Sequence, residues 1–194
     1  MSQSQINHSD MLIAEFEYIT QAAFQVSEDR AKVSQFYVLT VASFVAAIFG
    51  NQIQNANQQV LDVVFTVLFA VLTLNGLVTL LHLIQLRIAW LDSVTAMNKI
   101  KSYYIETHPD STAFGDAFIW KGLPKPFKSW SISFLLAVQT AVLSALTFGA
   151  ALFISTQSLF PSHDFRLVIA VVIGILFIGI QIWFYRYLLA RRGS

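Results

Sequence analysis

The stretch Gln59–His108 reads QVLDVVFTVLFAVLTLNGLVTLLHLIQLRIAWLDSVTAMNKIKSYYIETH. Its first half, Val60 to Ile84, is almost wholly apolar and longer than the roughly 20 residues needed to cross the hydrocarbon core of a bilayer. Its second half, residues 85–107, is amphipathic and contains neither proline nor glycine. Gly76 is the one weak helix former between them. The pattern predicts a single helix of roughly 70 Å at 1.5 Å per residue, about half of it beyond the bilayer.

Three further apolar runs flank this stretch: residues 33–50, 131–155 and 165–188. They account for a composition that is 56% hydrophobic, with 17 Phe and only 12% charged residues, about half the charged share of a soluble domain. The expected fold is an all-α integral membrane protein with four transmembrane helices in a single membrane domain. A net charge of +1 argues against nucleic acid as a partner. The absence of cysteine excludes disulfides, thiolate metal sites and cysteine catalysis. The polar N-terminal segment does not have the basic-then-apolar order of a signal peptide.

Ahead of the first span, residues 9–32 read as a helix. Ser9 or Asp10 can cap it, and Leu12, Phe16, Ile19, Ala23 and Val26 recur at 4-3-4-3 spacing, a narrow coiled-coil seam. Ser27-Glu28-Asp29 is either a short break or more helix. After the second span, Trp90, Val94, Met97, Ile100 and Tyr104 share a face. Pro109 stops that helix by disfavouring helical geometry at His108. Residues 108–129 read as a loop with one helical turn near 113–120. Within it, the run from Trp120 to Trp130 combines lysines and aromatic rings in the manner of an interfacial anchor.

Eleven of the 12 Lys and Arg lie in the N-terminal, central and C-terminal segments, and the loops after the first and third spans hold only Arg166. Positive charge beside short spans stays inside, which puts both termini and the central segment in the cytoplasm. The segments 9–32 and 85–107 then leave the membrane side by side and antiparallel, as a helical stalk. If they exit at Lys32 and Arg87, facing positions sum to about 119. That places Glu15 and Glu17 near Lys99 and Lys101, Asp92 near Arg30, and Phe16 near Tyr104.

Small residues at four-residue spacing mark faces on which helices approach closely: Ala42, Ala46 and Gly50 in the first span, Ala137, Ala141, Ala145 and Gly149 in the third, Ala170 and Gly174 in the fourth. The intramembrane polar candidates are Asn75, His82, Gln85, Gln139 and Gln181. Buried amides in lipid normally bond between helices. Asn75 has a second reading as a pore or gate position, in a pathway gated by dewetting. A proton relay through His82 and Gln85 would need ionisable groups at depth, and the spans have none at their centres. Asp62 reads as a cap for the second span. No helical histidine pair, phosphate loop or supported catalytic set occurs, so neither an enzyme nor a metal or other cofactor is expected. His108-Pro109-Asp110 matches the signature tripeptide of J-domain co-chaperones but lacks the flanking helix pair, and reads as a proline stop.

The run Glu28-Asp29-Arg30 before Phe36-Tyr37 resembles the approach to the first span in SLATT-type and four-transmembrane effectors of bacterial nucleotide-signalling defence systems. The run from Trp90 through Val94, Met97-Asn98-Lys99 and Tyr103 is similar to that of RipA-type octameric membrane proteins. The resemblance covers about residues 15–105 and implies homo-oligomeric assembly in a bacterial inner membrane and, for the effector group, membrane disruption when triggered. The residues support two other readings: a scaffold that binds a protein partner through the stalk, and a small transporter, which would need internal repeats and spans broken at mid-depth.

Overall fold

A computed structural model describes residues 8–50, 57–107, 125–157 and 159–191. The expectations for Pro109, for the tripeptide 108–110 and for the turn near 113–120 lie outside them. The described residues form four helices: α1 (His8–Gly50), α2 (Gln58–Thr107), α3 (Ile132–Ser155) and α4 (His163–Arg191). All four are long and apolar enough to cross a membrane.

α2 is the expected single helix, 50 residues without interruption. It runs straight through Asn75-Gly76, so the broken span that a transporter would show there is not present. α1 is likewise continuous over 43 residues, and Ser27-Glu28-Asp29 is helix. Nothing in that segment breaks a helix: it has no glycine or proline, and Lys32 pairs with Glu28 one turn back at 3.5 Å and with Asp29 at 3.9 Å. Those exposed pairs add little stability. Asn57 caps α2, its Oδ1 accepting from the Gln59 N–H at 3.0 Å. Asp62, the expected cap, lies a turn further in and accepts from the Gln58 side chain at 3.3 Å. At the head of α3, Ser131 is extended and its hydroxyl accepts from the Phe134 N–H. Trp130, just before it, has φ 64°, a left-handed geometry uncommon for a bulky residue, and its side chain is 84% exposed.

α2 and α3 form the central pair. α1 packs on α2, α4 packs on α3, and α1 and α4 lie on opposite flanks. The seam expected in α1 faces inward: Ile19 and Ala23 are buried, and Leu12, Phe16 and Val26 are half-buried. Its partner is α2, running antiparallel. Thr20 Oγ1 lies 3.5 Å from Met97 Sδ, and Lys101 Nζ lies 6.0 Å from the Phe16 ring centre. Both pairs sum to 117, close to the expected 119. The two-position difference matters locally. Lys101, not Tyr104, faces Phe16, and Tyr104 is exposed. The ammonium itself lies over the ring face, where the negative potential of the aromatic ring attracts a cation. Among the described residues no ion pair joins Glu15 or Glu17 to Lys99 or Lys101. The apolar seam takes the contact, and Glu15, Glu17 and Lys99 stay on exposed flanks.

The small-residue ladders of α3 and α4 approach each other closely. Ala137, Ala141, Ala145, Ala170 and Gly174 are buried. A Cβ on Gly174 would lie 3.6 Å from the Ala145 carbonyl oxygen, and one on Gly149 would lie 3.5 Å from that of Ala170. Among the described residues, the ladder in α1 meets no other helix at Ala42 and Ala46. Ala42 and Ala46 are exposed, and the buried face of α1 is Ser34, Tyr37 and Val41 instead.

Candidate functional site

Two polar centres sit inside the bundle. The first lies midway along the apolar length and is organised by Gly76. Gly76 has no side chain, so α1, α2 and α3 converge there. Tyr37 of α1 is fully buried and donates to the Leu72 carbonyl at 3.4 Å. Ser144 of α3 donates to the Thr73 carbonyl at 3.3 Å. The hydroxyls of Thr73 and Thr147 bond each other at 3.0 Å, and Thr147 also reaches the Ser144 carbonyl at 2.9 Å. Each buried hydroxyl is therefore partnered, which low-dielectric surroundings require. Asn75 stands at the edge of this centre, half-buried.

The second centre lies at the end of the apolar length where α3 begins. Arg30 of α1 and Arg87 of α2 turn into the bundle and are 6% and 7% exposed. Arg30 donates through Nη1 to the Ser133 hydroxyl of α3, and its Nε has no partner. Arg87 donates from Nη2 to the Lys125 carbonyl at 3.3 Å and from Nε to the Pro126 carbonyl at 3.4 Å, and its guanidinium lies 4.6 Å from the Trp90 ring centre. Among the described residues neither arginine has a carboxylate within ion-pair distance. Arg30 points to Ser133 and not, as expected, to Asp92. Burial, and after it the positive charge of Arg87, holds the Arg30 guanidinium below its ordinary range, and burial does the same to Arg87. Both stay charged near neutral pH all the same. Burying a charge carries a penalty on the order of several kcal/mol per ion, so the pair is expensive unless something offsets it. Around this centre, Phe127 packs edge-to-face on Phe134 at 5.4 Å, and Arg186 lies 4.9 Å from the Phe127 ring centre.

The other polar candidates divide. His82, Gln85 and Gln139 are exposed on the outer surface of the bundle and join neither centre. Gln181 is 2% exposed, among Leu80, Phe134, Ala137, Ala141 and Tyr185, and neither atom of its amide has a hydrogen-bond partner. An unpartnered buried amide costs about 1–3 kcal/mol. Gln181→Met, which keeps the volume, is therefore expected to raise the thermal unfolding midpoint in detergent. A midpoint that stays the same or falls would mean that the amide is bonded.

Sequence reasoning passed over Tyr37, Ser144 and Thr147, and took Arg30 and Arg87 as markers of the membrane boundary. Register could have found the arginines. Arg30 follows Val26 by four and precedes Tyr37 by seven, and Arg87 lies seven from both Leu80 and Val94, all on the inward seams. Comparison with known proteins finds no matching protein-family model, no matching curated protein and no matching solved structure.

Proposed function

We propose that the chain is a non-enzymatic, homo-oligomeric, multi-pass membrane protein whose helical stalk controls assembly or opening of a pathway through the bilayer. Both termini and the stalk lie on the cytoplasmic side of a plasma membrane in this reading, a bacterial inner membrane if the resemblance of residues 15–105 holds. One observation carries it. α1 and α2 pass from the paired segments 12–26 and 94–101 into their apolar spans without a break. A helix is stiff over that length, so a displacement at the paired ends is delivered to the spans. The outward face at Ala42 and Ala46 supports assembly, because close helix approach is what small residues permit and no helix among the described residues covers them. The hydroxyls at mid-depth inside one subunit, those of Tyr37, Thr73, Ser144 and Thr147, are spent on one another and on backbone carbonyls, so the pathway would form between subunits.

A second reading, a scaffold that conducts nothing, is favoured by Met11, Tyr18, Phe24 and Tyr103, which stand exposed on the paired segments and offer apolar contact points to a partner protein.

Native mass spectrometry and liposome leakage separate the two. The pathway reading expects a discrete ring of copies and leakage. It also expects that Thr20→Cys with Met97→Cys, joined under mild oxidation, suppresses leakage until a reductant is added. A monomer or dimer with tight liposomes would remove it and favour the scaffold. Cysteine at Tyr18 with Met97→Cys is the control pair, since Tyr18 faces away.

A further inference from the structure

We propose that the arginine centre is a binding site for a phosphate-class oxyanion held between Arg30 and Arg87. The two guanidiniums come from different helices, are both more than nine-tenths buried, and are permanently charged. Every partner they have among the described residues is neutral: the Ser133 hydroxyl, two backbone carbonyls and an indole ring. Arg30 Nε, fully enclosed, has none. A buried cation pair of this kind is compensated when an anion accepts from both. The oxyanion of a phosphate fits best, because a planar guanidinium fork presents two N–H groups at the spacing of two phosphate oxygens. A single small carboxylate would satisfy one fork and leave the other.

The surroundings add positive potential, and among the described residues no carboxylate lies within ion-pair distance of either guanidinium. α3 begins at Ile132, so the positive end of its dipole points at the same place. Lys125 and Lys128 stand exposed on the rim, and Arg186 lies over Phe127 beside them. The exposed Trp130 ring projects from the same turn. This is the level at which headgroups would lie in a membrane, so the phosphate can belong to an anionic lipid. It can equally belong to a free phosphate compound from the aqueous side. The chemistry recognised is the same. The site does not depend on whether a pathway exists, and its test reads binding, not leakage.

The test uses the full chain, delipidated in a neutral detergent. Native mass spectrometry follows retention of phosphatidylglycerol against phosphatidylcholine, and thermal unfolding is followed with inorganic phosphate. Preferential retention of phosphatidylglycerol alone assigns the site to lipid. A rise in midpoint with inorganic phosphate assigns it to a free phosphate. In either case Arg30→Gln and Arg87→Gln are expected to weaken binding roughly 10- to 100-fold, the value of a charge-assisted hydrogen bond. Lys128→Gln on the rim changes it by no more than about fivefold. Arg30→Lys keeps the charge and loses the fork, and falls between. Should the glutamine variants fail to fold, the lysine variant and the wild-type titrations decide. No phosphatidylglycerol preference and no phosphate shift in the wild type would overturn the proposal, as would binding equal in wild type and Arg30→Lys.

Discussion

Gly76→Ala is expected to lower the unfolding midpoint sharply, although alanine is the better helix former. In an ordinary exposed helical position the exchange gains about 1 kcal/mol. At Gly76 the added Cβ would lie 2.7 Å from Ser144 Cβ and 2.8 Å from Ser144 Oγ, and closer still to Tyr37 Oη. Tyr37 can give way only by leaving the Leu72 carbonyl, and Ser144 Cβ is fixed to the backbone of α3. The helices must separate, and overpacking of that kind costs typically 1–3 kcal/mol or more. With three contacts inside van der Waals distance the steric cost wins, and a net loss of up to about 2 kcal/mol is expected. Two controls sharpen the reading. Gly179 has nothing within 4 Å of its notional Cβ, so Gly179→Ala is expected to be neutral or stabilising. Ser144→Gly in the Gly76→Ala background removes the 2.7 and 2.8 Å contacts, and with Tyr37→Phe added it is expected to recover most of the loss. If Gly76→Ala and Gly179→Ala behave alike, the three helices do not converge at this point.

Gly76 also shows what could and could not be read from the residues. Its neighbour Asn75 stood out because an amide in an apolar run is conspicuous, whereas a glycine is not. Yet successive helical residues lie 100° apart, and the inward direction belongs to Leu72, Thr73, Gly76, Thr79 and Leu80. Hydropathy gives the existence and length of each helix, because apolar length is a local property. It does not give azimuth in a span that is apolar all round. The ladders of α3 and α4 were legible because each meets the other. The ladder of α1 has the same spacing and faces outward, since Tyr37 has hydrogen-bonding needs that only the interior meets. In the paired segments, where one face is polar, azimuth was readable, and the seam from Leu12 to Val26 lies where its spacing puts it. The ion pairs proposed across that seam were less secure. Opposite charges on exposed flanks gain little by meeting, so the contact follows the apolar side chains.

The arginine centre carries the second large effect, and it separates two residues that look equivalent. Arg87→Met is expected to destabilise the protein by about 2–3 kcal/mol, from the lost charge-assisted bonds to the Lys125 and Pro126 carbonyls and the lost contact with Trp90. Those bonds are 3.3 and 3.4 Å long, which keeps the expectation below the full value for two charged hydrogen bonds. The side chain ties residues 125 and 126, just ahead of α3, to α2, so its removal should loosen that turn before it unfolds the bundle. Trypsin provides the readout. Cleavage after Lys128, which is exposed but held in the turn by the bond from the Ser131 N–H to its carbonyl, is expected to accelerate in Arg87→Met under conditions where the helices stay intact. Arg30→Met, measured free of added anion, is expected to cost less. It gives up one bond to Ser133 and relieves the repulsion between the two guanidiniums. Equal losses in the two variants, with no change in cleavage after Lys128, would show that the arginines matter only through their charge and that Arg87 ties nothing down. A loss confined to Arg87 would make it the strut of this end of the bundle. Arg30 would then be a cation that the fold tolerates at its own expense, the expected behaviour of a residue placed to hold an anion.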